Sequence, residues 1–176
     1  TGINDKRMKE VFLDSQNRIR SMALIHELLY YSQIYGSVDF LEYCKKLVDR
    51  LQISYRTKNV KLEILGDAFS LDLDQAVPCG LILNELVSNS LKHAFPSERP
   101  GSVRIEIRRD GTDCPFSVSD EGVGMQKEAH SPDLPTLGMR LIANLTDQIG
   151  GSFNLLSHPG TQCTVTFPIA AQRDNS

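Results

Sequence analysis

Hydrophobic and polar residues follow a helical period from residue 3 to residue 34, a stretch without proline. Apolar positions recur about every seven residues, which predicts a long amphipathic helix with coiled-coil character. The repeating positions are Met8, Val11 or Phe12, Ser15, Ile19, Met22, Ile25 or His26, and Leu29. Because one helix cannot bury such a stripe alone, we expect it to face another helix or a second copy of the chain.

A second helix and a set of strands are predicted next. Gly36 ends the first helix, and Ser37 and Asp39 provide N-cap chemistry for a helix over residues 38–54. Alternation of apolar and polar residues further on predicts half-buried strands. These strands are expected at residues 60–64, 70–74, 103–108, 116–120, 153–155 and 165–167. Asp74 is expected to cap the helix that follows the second strand.

A strongly apolar stretch at residues 81–95 predicts a central helix with two different faces. One face collects Leu83, Leu86, Val87, Leu91 and Ala94. On the opposite face Glu85, Asn89 and Lys92 line up over about two turns, with His93 at the edge. A carboxylate, an amide, an ammonium and an imidazole in one line on an apolar helix indicate a functional site.

Three glycine-containing segments follow the central helix. The Asp-Glu-Gly-Val-Gly run at residues 120–124 ends a predicted strand, and its glycines allow positive φ angles and close approach to a ligand. Residues 136–141 place a glycine at a predicted helix start, where exposed N–H groups favour phosphate and Arg140 adds further donors. The Gly-Thr pair at residues 160–161 forms a tight turn before the last strand.

Composition narrows the class of protein. Of the 176 residues, 40% are hydrophobic and 23% charged, which is ordinary for a soluble globular protein. A net charge of −3 gives no bulk attraction to nucleic acid, so we predict no nucleic-acid partner. The four cysteines lack metal-binding spacing and predict reduced, partly buried thiols in a cytoplasmic protein. No signal peptide is recognisable. Because the chain starts inside a predicted helix, we expect it to be a fragment of a longer protein.

In order and spacing, these segments resemble the nucleotide-binding boxes of the GHKL ATPases. The matching elements are Asn-Glu-x-x-x-Asn-x-x-Lys-His at residues 84–93, Asp-x-Gly-x-Gly at 120–124, Leu-Gly-Met at 137–139 and Gly-Thr at 160–161. That family shares the Bergerat α/β two-layer sandwich. The resemblance therefore implies an α+β fold, with a mixed sheet of about five strands, helices on one face, and a preceding long dimerisation-type helix.

Within that family, residues 81–96 resemble sensor histidine kinases. Residues 15–30, followed by Ser-Val-Asp-Phe, resemble the second dimerisation helix of the HisKA_2 subclass of these kinases. The resemblance implies a partial dimerisation helix over residues 1–36 and an ATP-binding catalytic domain over residues 37–170. Residues 171–176 would form a tail.

The resemblance also implies roles for individual residues. Glu85 and Lys92 would be the catalytic residues near the γ-phosphate, and Asn89 would ligate Mg²⁺. Asp120 would accept a hydrogen bond from the adenine amine, and residues 125–136 would form a lid over ATP. The residues implied to bind ATP are Asn89, Lys92, His93, Asp120, Gly122, Gly124, Gly138, Met139, Arg140 and Thr161.

ATP and Mg²⁺ are the implied cofactors. The γ-phosphoryl group would pass to a histidine and then to an aspartate of a response-regulator receiver domain. The subclass presents its phosphoacceptor as His-His-Arg-x-Lys-Asn, and no such run occurs in this sequence. We therefore expect no phosphoacceptor in this chain and interpret His26 as an interface or capping residue. The N-terminal helix would form a homodimer in the cytoplasm, whether or not the full-length protein is attached to a membrane.

Two alternative functions are weighed against the kinase. A GHKL ATPase or a serine kinase of the anti-sigma type would lack the N-terminal helix with its Ser-Gln-Asn-Arg run at residues 15–18. A nucleotide-sensing scaffold without transfer activity would be expected to lose Asn89, Asp120 and the paired glycines first. All of these residues are present.

Overall fold

The computed structural model describes residues 2–31, 37–56, 58–124, 136–157 and 159–169. The helices within these residues are α1 (Gly2–Tyr31), α2 (Phe40–Tyr55), α3 (Leu73–Asn89) and α4 (Leu137–Gln148). A π-helical segment, Ser90–Ala94, continues α3, and a short 3₁₀ turn covers Pro96–Glu98. The strands are β1 (Ser37–Asp39), β2 (Val60–Gly66), β3 (Ser70–Asp72), β4 (Gly101–Ile107), β5 (Asp113–Asp120), β6 (Ser152–Ser157) and β7 (Thr161–Pro168).

The main sheet has five strands in the order β2-β4-β5-β7-β6. β2 and β4 are parallel, whereas the other neighbouring pairs are antiparallel. β1 and β3 form a separate antiparallel ribbon. The mixed sheet with accompanying helices confirms the α+β fold that the sequence predicts.

The core lies on one face of the main sheet, where alternate residues of β4, β5 and β7 are buried. Phe116 of β5 packs edge-on against Phe40 of α2, with ring centroids 6.2 Å apart, and against Phe167 of β7 at 6.3 Å. α3 contacts α1, α2 and α4. The predicted central helix is therefore central in the folded chain, and of the four polar residues predicted on its second face Glu85 is the buried one.

The helix starts agree only partly with the sequence. α3 begins at Leu73, after an N-cap at Asp72, so the expected cap at Asp74 is wrong. Asp74 instead lies in the first turn, where its negative charge interacts favourably with the helix dipole. Asp39 caps α2 as expected, because its carboxylate accepts a hydrogen bond from the Glu42 amide at 2.9 Å. α2 starts later than predicted because β1, which precedes it, pairs with β3.

α1 packs on the rest of the chain through a largely polar face. Asn17, Ser21 and Leu24 are buried, whereas the predicted apolar stripe is exposed, with Phe12 at 65% and Ile19 at 66% exposure. The described residues of the same chain therefore leave the stripe uncovered from Met8 to Met22. The expected helix end at Gly36 lies outside the described residues. None of the described helices is long and apolar enough to cross a bilayer.

All four cysteines are buried free thiols, in agreement with the sequence expectation of reduced, buried cysteines. Burial raises the pKa of Cys114 to about 12 and that of Cys163 to about 11. It raises the pKa of Cys44 and of Cys79 as well. These side chains are therefore neutral packing groups at physiological pH.

Candidate functional site

The polar side chains of the central helix differ in burial along its length. Glu85 is only 6% exposed, Asn89 and Lys92 are half-buried, and His93 is exposed. After Asn89 the backbone changes from α-helical to π-helical winding, which a uniform helix over residues 81–95 does not predict. The wider turn changes which side chains point inward, because a π-helical turn contains an additional residue.

A buried carboxylate at the end of β5 forms the second part of the site. Asp120 is 7% exposed and accepts hydrogen bonds from three different parts of the chain. The Ser90 hydroxyl donates to Oδ2 at 2.8 Å, and the backbone amides of Gly122 and Thr161 donate to Oδ1 at 3.0 and 3.2 Å. The structure thus brings together Asp120, Gly122 and Thr161, three of the residues that the sequence nominates.

Glycines let the backbone segments around this carboxylate approach closely. A Cβ on Gly122 would lie 2.4 Å from the Cβ of Ala94, at the end of the π-helical segment. A Cβ on Gly160 would lie 2.0 Å from the carbonyl oxygen of Asp120, and the φ angle of Gly160 is +74°. Gly124 also has a positive φ of 72°. A larger residue at Gly122 would push the loop after β5 away from the π-helical segment, and one at Gly160 would push the turn before β7 away from the end of β5.

The start of α4 approaches the C-terminal part of α3. Thr136 is the N-cap of α4, and its hydroxyl accepts a hydrogen bond from the Met139 amide at 3.3 Å. A Cβ on Gly138 would lie 3.0 Å from Oε2 of Glu85 and 3.9 Å from Nδ2 of Asn89. The predicted phosphate-binding helix start therefore lies beside two residues of the central helix. N–H groups at a helix start attract anions.

Several predicted residues lie at the margin of the site or beyond the described part. Met139 is half-buried and packs against the core, whereas Arg140 is exposed. Residues 125–135, most of the expected lid, lie outside the described residues. The side chain of His26 also lies outside them, so its interpretation stays a prediction.

α1 contributes two charged residues that the sequence did not nominate. The Arg18 guanidinium donates to both oxygens of Glu85, with Nε–Oε1 at 2.6 Å and Nη2–Oε2 at 2.8 Å. The Lys92 ammonium contacts both oxygens of Asp14, at 2.7 and 2.8 Å. The hydrogen bond and the charge of Glu85 raise the pKa of Arg18. Both predicted catalytic side chains are therefore paired with α1.

Three further hydrogen bonds surround these two ion pairs. The Tyr55 hydroxyl of α2 donates to Oδ1 of Asp14 at 3.1 Å, and burial raises the pKa of this tyrosine, so it remains a neutral donor. The Asn84 side chain donates to Glu85 at 3.3 Å and accepts from the Ser21 hydroxyl at 3.3 Å. The α1–α3 contact near the predicted catalytic residues is therefore polar.

Only weak signals in the sequence point to the site residues that the prediction missed. Asp14 and Arg18 are four positions apart on one helix face and carry opposite charges. Glu85 and Lys92 on the facing helix also carry opposite charges, seven positions apart. Ser90 follows Asn89 directly, but a regular α-helix gives no reason to aim it at Asp120.

The arrangement suits a ligand with an amine and an anionic group. The Asp120 carboxylate, fixed by three donors, can accept a hydrogen bond from a ligand amine, and the start of α4 can receive an anion. A nucleotide carries both groups.

Two family models match the chain. The model for histidine kinase-, DNA gyrase B- and HSP90-like ATPases matches residues 74–171, and the HisKA_2 histidine kinase model matches residues 1–55. The chain therefore belongs to the family of histidine kinase-, DNA gyrase B- and HSP90-like ATPases. The second match confirms the resemblance of the N-terminal region to the HisKA_2 subclass.

Curated relatives are sensor kinases. The sensor histidine kinase PdtaS of Mycobacterium tuberculosis is 26% identical over 170 residues, which cover 92% of this chain and 33% of PdtaS. Blue-light-activated histidine kinase 2 of Erythrobacter litoralis is 25% identical over 116 residues, or 65% of this chain and 34% of that protein. The chain thus spans about a third of the length of the curated relatives it matches.

Solved structures share the fold. The histidine kinase domain of a blue-light activated histidine kinase from Erythrobacter litoralis superposes with a TM-score of 0.81 at 18% identity, covering 89% of this chain and 75% of that one. The catalytic domain of histidine kinase ThkA gives a TM-score of 0.64 at 18% identity, covering 76% of this chain and 95% of that domain. Both comparisons support the Bergerat-type sandwich.

Proposed function

We propose that this chain is the ATP-binding catalytic part of a sensor histidine kinase. It would transfer the γ-phosphoryl group of Mg·ATP to a histidine outside this chain, from which the group passes to an aspartate of a response-regulator receiver domain. The observation that carries the proposal is the buried Asp120 carboxylate, held by Ser90, Gly122 and Thr161 in a chain of this ATPase family.

The base end of the nucleotide would bind at Asp120. Three donors hold this carboxylate in one orientation, so it can accept the adenine amine without first reorganising. Gly122 and Gly124 bring the loop close to the base, and Thr161 supports the carboxylate through its amide. His93, exposed at the edge of the π-helical segment, would lie near the adenine ring.

The phosphates would bind between the central helix and the start of α4. Gly138 approaches Glu85 and Asn89 there, and Met139 and Arg140 continue the same turn. The Asn89 side chain fits Mg²⁺, since this ion prefers oxygen ligands and keeps several waters. When bound, Mg²⁺ would neutralise charge on the phosphates. Lys92 would bind the phosphates, and Glu85 would orient the γ-phosphoryl group for transfer.

Transfer also needs a partner. The HisKA_2 region would dimerise with a second copy through α1, whose apolar stripe is exposed. We retain the proposed boundaries of residues 1–36 for the dimerisation helix and 37–170 for the catalytic domain, and we place the domain in the cytoplasm. In the full-length protein, regions corresponding to the rest of the curated relatives would supply the sensor and the first dimerisation helix, which carries the acceptor histidine.

A labelling experiment tests the transfer. The 176-residue chain is mixed with radiolabelled ATP, Mg²⁺ and a separate peptide that carries the His-His-Arg-x-Lys-Asn helix. We expect acid-labile label on the peptide and none on the chain, and the His26→Gln variant should behave identically. Label on the chain that disappears in this variant would contradict the assignment of the acceptor. Tight ATP binding without any labelled peptide would favour a scaffold.

A further inference from the structure

The two residues of α1 that face the site differ in what they do to a bound phosphate. Arg18 neutralises Glu85, whose side chain is 7% exposed and would otherwise be an unpaired buried charge. Asp14 instead neutralises Lys92, the cation that the proposed function assigns to the phosphates. The first contact anchors the helix, whereas the second occupies a ligand-binding group.

The Asp14–Lys92 contact is built well enough to compete with a ligand. The side chains of Asp14 and Lys92 are 26% and 20% exposed, and both carboxylate oxygens lie within 2.8 Å of Nζ. Tyr55 donates to the same carboxylate, so Asp14 is held in position by α2 as well. Charge-assisted contacts in a partly buried setting are stronger than ordinary surface pairs.

We propose that Asp14 is a further determinant of nucleotide affinity, which acts by competing with the nucleotide phosphates for Lys92. While α1 is docked through Arg18 and Asp14, the Lys92 ammonium is satisfied by the chain itself. Phosphate binding must then displace Asp14, and release of Asp14 in turn raises the affinity for phosphate. This inference rests on the proposed function and specifies how the same site is regulated.

Docking of α1 and binding of Mg·ATP are consequently antagonistic. A ligand that prefers one of two states shifts the population toward that state. The more stable the docked state of α1 is, the lower is the apparent affinity for the nucleotide. Movement of the dimerisation helix would therefore change nucleotide binding without altering any residue that contacts the base. The coupling is reciprocal, so bound nucleotide should loosen the docked helix.

The matched pair Asp14→Asn and Glu27→Gln tests the inference. Both variants remove one negative charge from α1, but Glu27 pairs with Arg50 of α2 at 2.8 Å, on an exposed surface. We expect Asp14→Asn to bind a fluorescent Mg·ATP analogue roughly three- to tenfold more tightly than the unaltered chain. Glu27→Gln should leave the affinity unchanged.

A second substitution and a second readout complete the test. In the Lys92→Gln background, Asp14→Asn should no longer increase affinity, because its partner is gone. Hydrogen exchange of the intact chain should show faster exchange in α1 when the Mg²⁺ complex of a non-hydrolysable ATP analogue is added.

Several results would overturn the inference. Equal or weaker binding by Asp14→Asn, or an equal gain in Glu27→Gln, contradicts competition at Lys92. If Asp120→Asn abolishes binding but Asp14→Asn changes nothing, the ATP site stands and only the competition fails. If neither the unaltered chain nor Asp14→Asn binds the analogue, both proposals fail together.

Discussion

At the scale of single residues, the site is defined by how its charges are satisfied. Asp120 accepts three hydrogen bonds from Ser90, Gly122 and Thr161, so its orientation is fixed before a ligand arrives. Ser90 supplies the only one of these three donors that comes from a side chain. It is therefore a positioning residue that acts through Asp120, and it can be altered without changing the backbone.

Replacing Ser90 should weaken nucleotide binding through the carboxylate. Ser90→Ala removes the donor to Oδ2, so Asp120 gains freedom that binding must later restrict. We expect roughly a three- to tenfold weaker affinity for ATP, the size of one lost hydrogen bond. Ser90→Thr retains a hydroxyl and should restore most of the affinity. If both variants weaken binding equally while their melting temperatures match, the hydroxyl has no such role.

At the scale of elements, the sequence predicts what depends on local pattern and misses what depends on distant pairing. Alternation predicts all five strands of the main sheet, because burial on one face repeats every second residue. However, β5 and β7 begin at Asp113 and Thr161, before the predicted starts at residues 116 and 165. β1 was missed because three residues become a strand only through pairing with β3. The change to π-helical winding after Asn89 has no signature in apolar spacing.

The site could be predicted to a similar extent. Asp120, Gly122 and Thr161 come together as nominated, since each lies at the end of a strand or in a tight turn. The partners of Glu85 and Lys92 could not be inferred, because they lie 67 and 78 positions away along the chain. Nothing local distinguishes an Asp and an Arg on a solvated helix face from a pair that docks.

The turn before β7 should be sensitive to a single methyl group. Gly160→Ala combines a positive φ with a Cβ only 2.0 Å from the Asp120 carbonyl oxygen, so β5 and β7 must separate. We expect the free energy of unfolding to fall by about 1–3 kcal/mol, measured by urea denaturation. Gly111→Ala is the control, because Gly111 also has a positive φ but no heavy atom lies within 4 Å of the added Cβ. Equal losses in the two variants would contradict this reason for Gly160.

At the scale of the whole molecule, the two faces of α1 differ in their surroundings. Its polar face docks on α2 and α3 and holds the charged residues of the site, while Phe12 and Ile19 remain exposed on the apolar stripe. The HisKA_2 match to residues 1–55 includes both α1 and α2. The proposed dimer contact and the proposed nucleotide site are therefore linked through one helix, α1.

Integrity of the core can be followed through its thiols. All four cysteines are buried, and the pKa of Cys163 rises from the usual 9.0 to about 11. The native chain should therefore resist a thiol-specific reagent at neutral pH and remain slow to react near pH 9, whereas the urea-unfolded chain should react at all four sites. Because the unfolded chain ionises this thiol at lower pH than the folded chain does, the free energy of unfolding should fall as the pH rises from about 9 toward 11. Rapid labelling of the folded chain would contradict the buried core.

Calorimetric titration of Mg·ATP into the unaltered chain and into Asp120→Asn measures whether this carboxylate binds the nucleotide. The substitution keeps the shape of the side chain but removes the charge and one acceptor, so the adenine amine loses its partner. We expect binding to the unaltered chain and a loss of affinity of about 10- to 100-fold in the variant, the range for a hydrogen bond to a charged group. Equal affinity in the two proteins, with an unchanged circular dichroism spectrum, would contradict the ATP site.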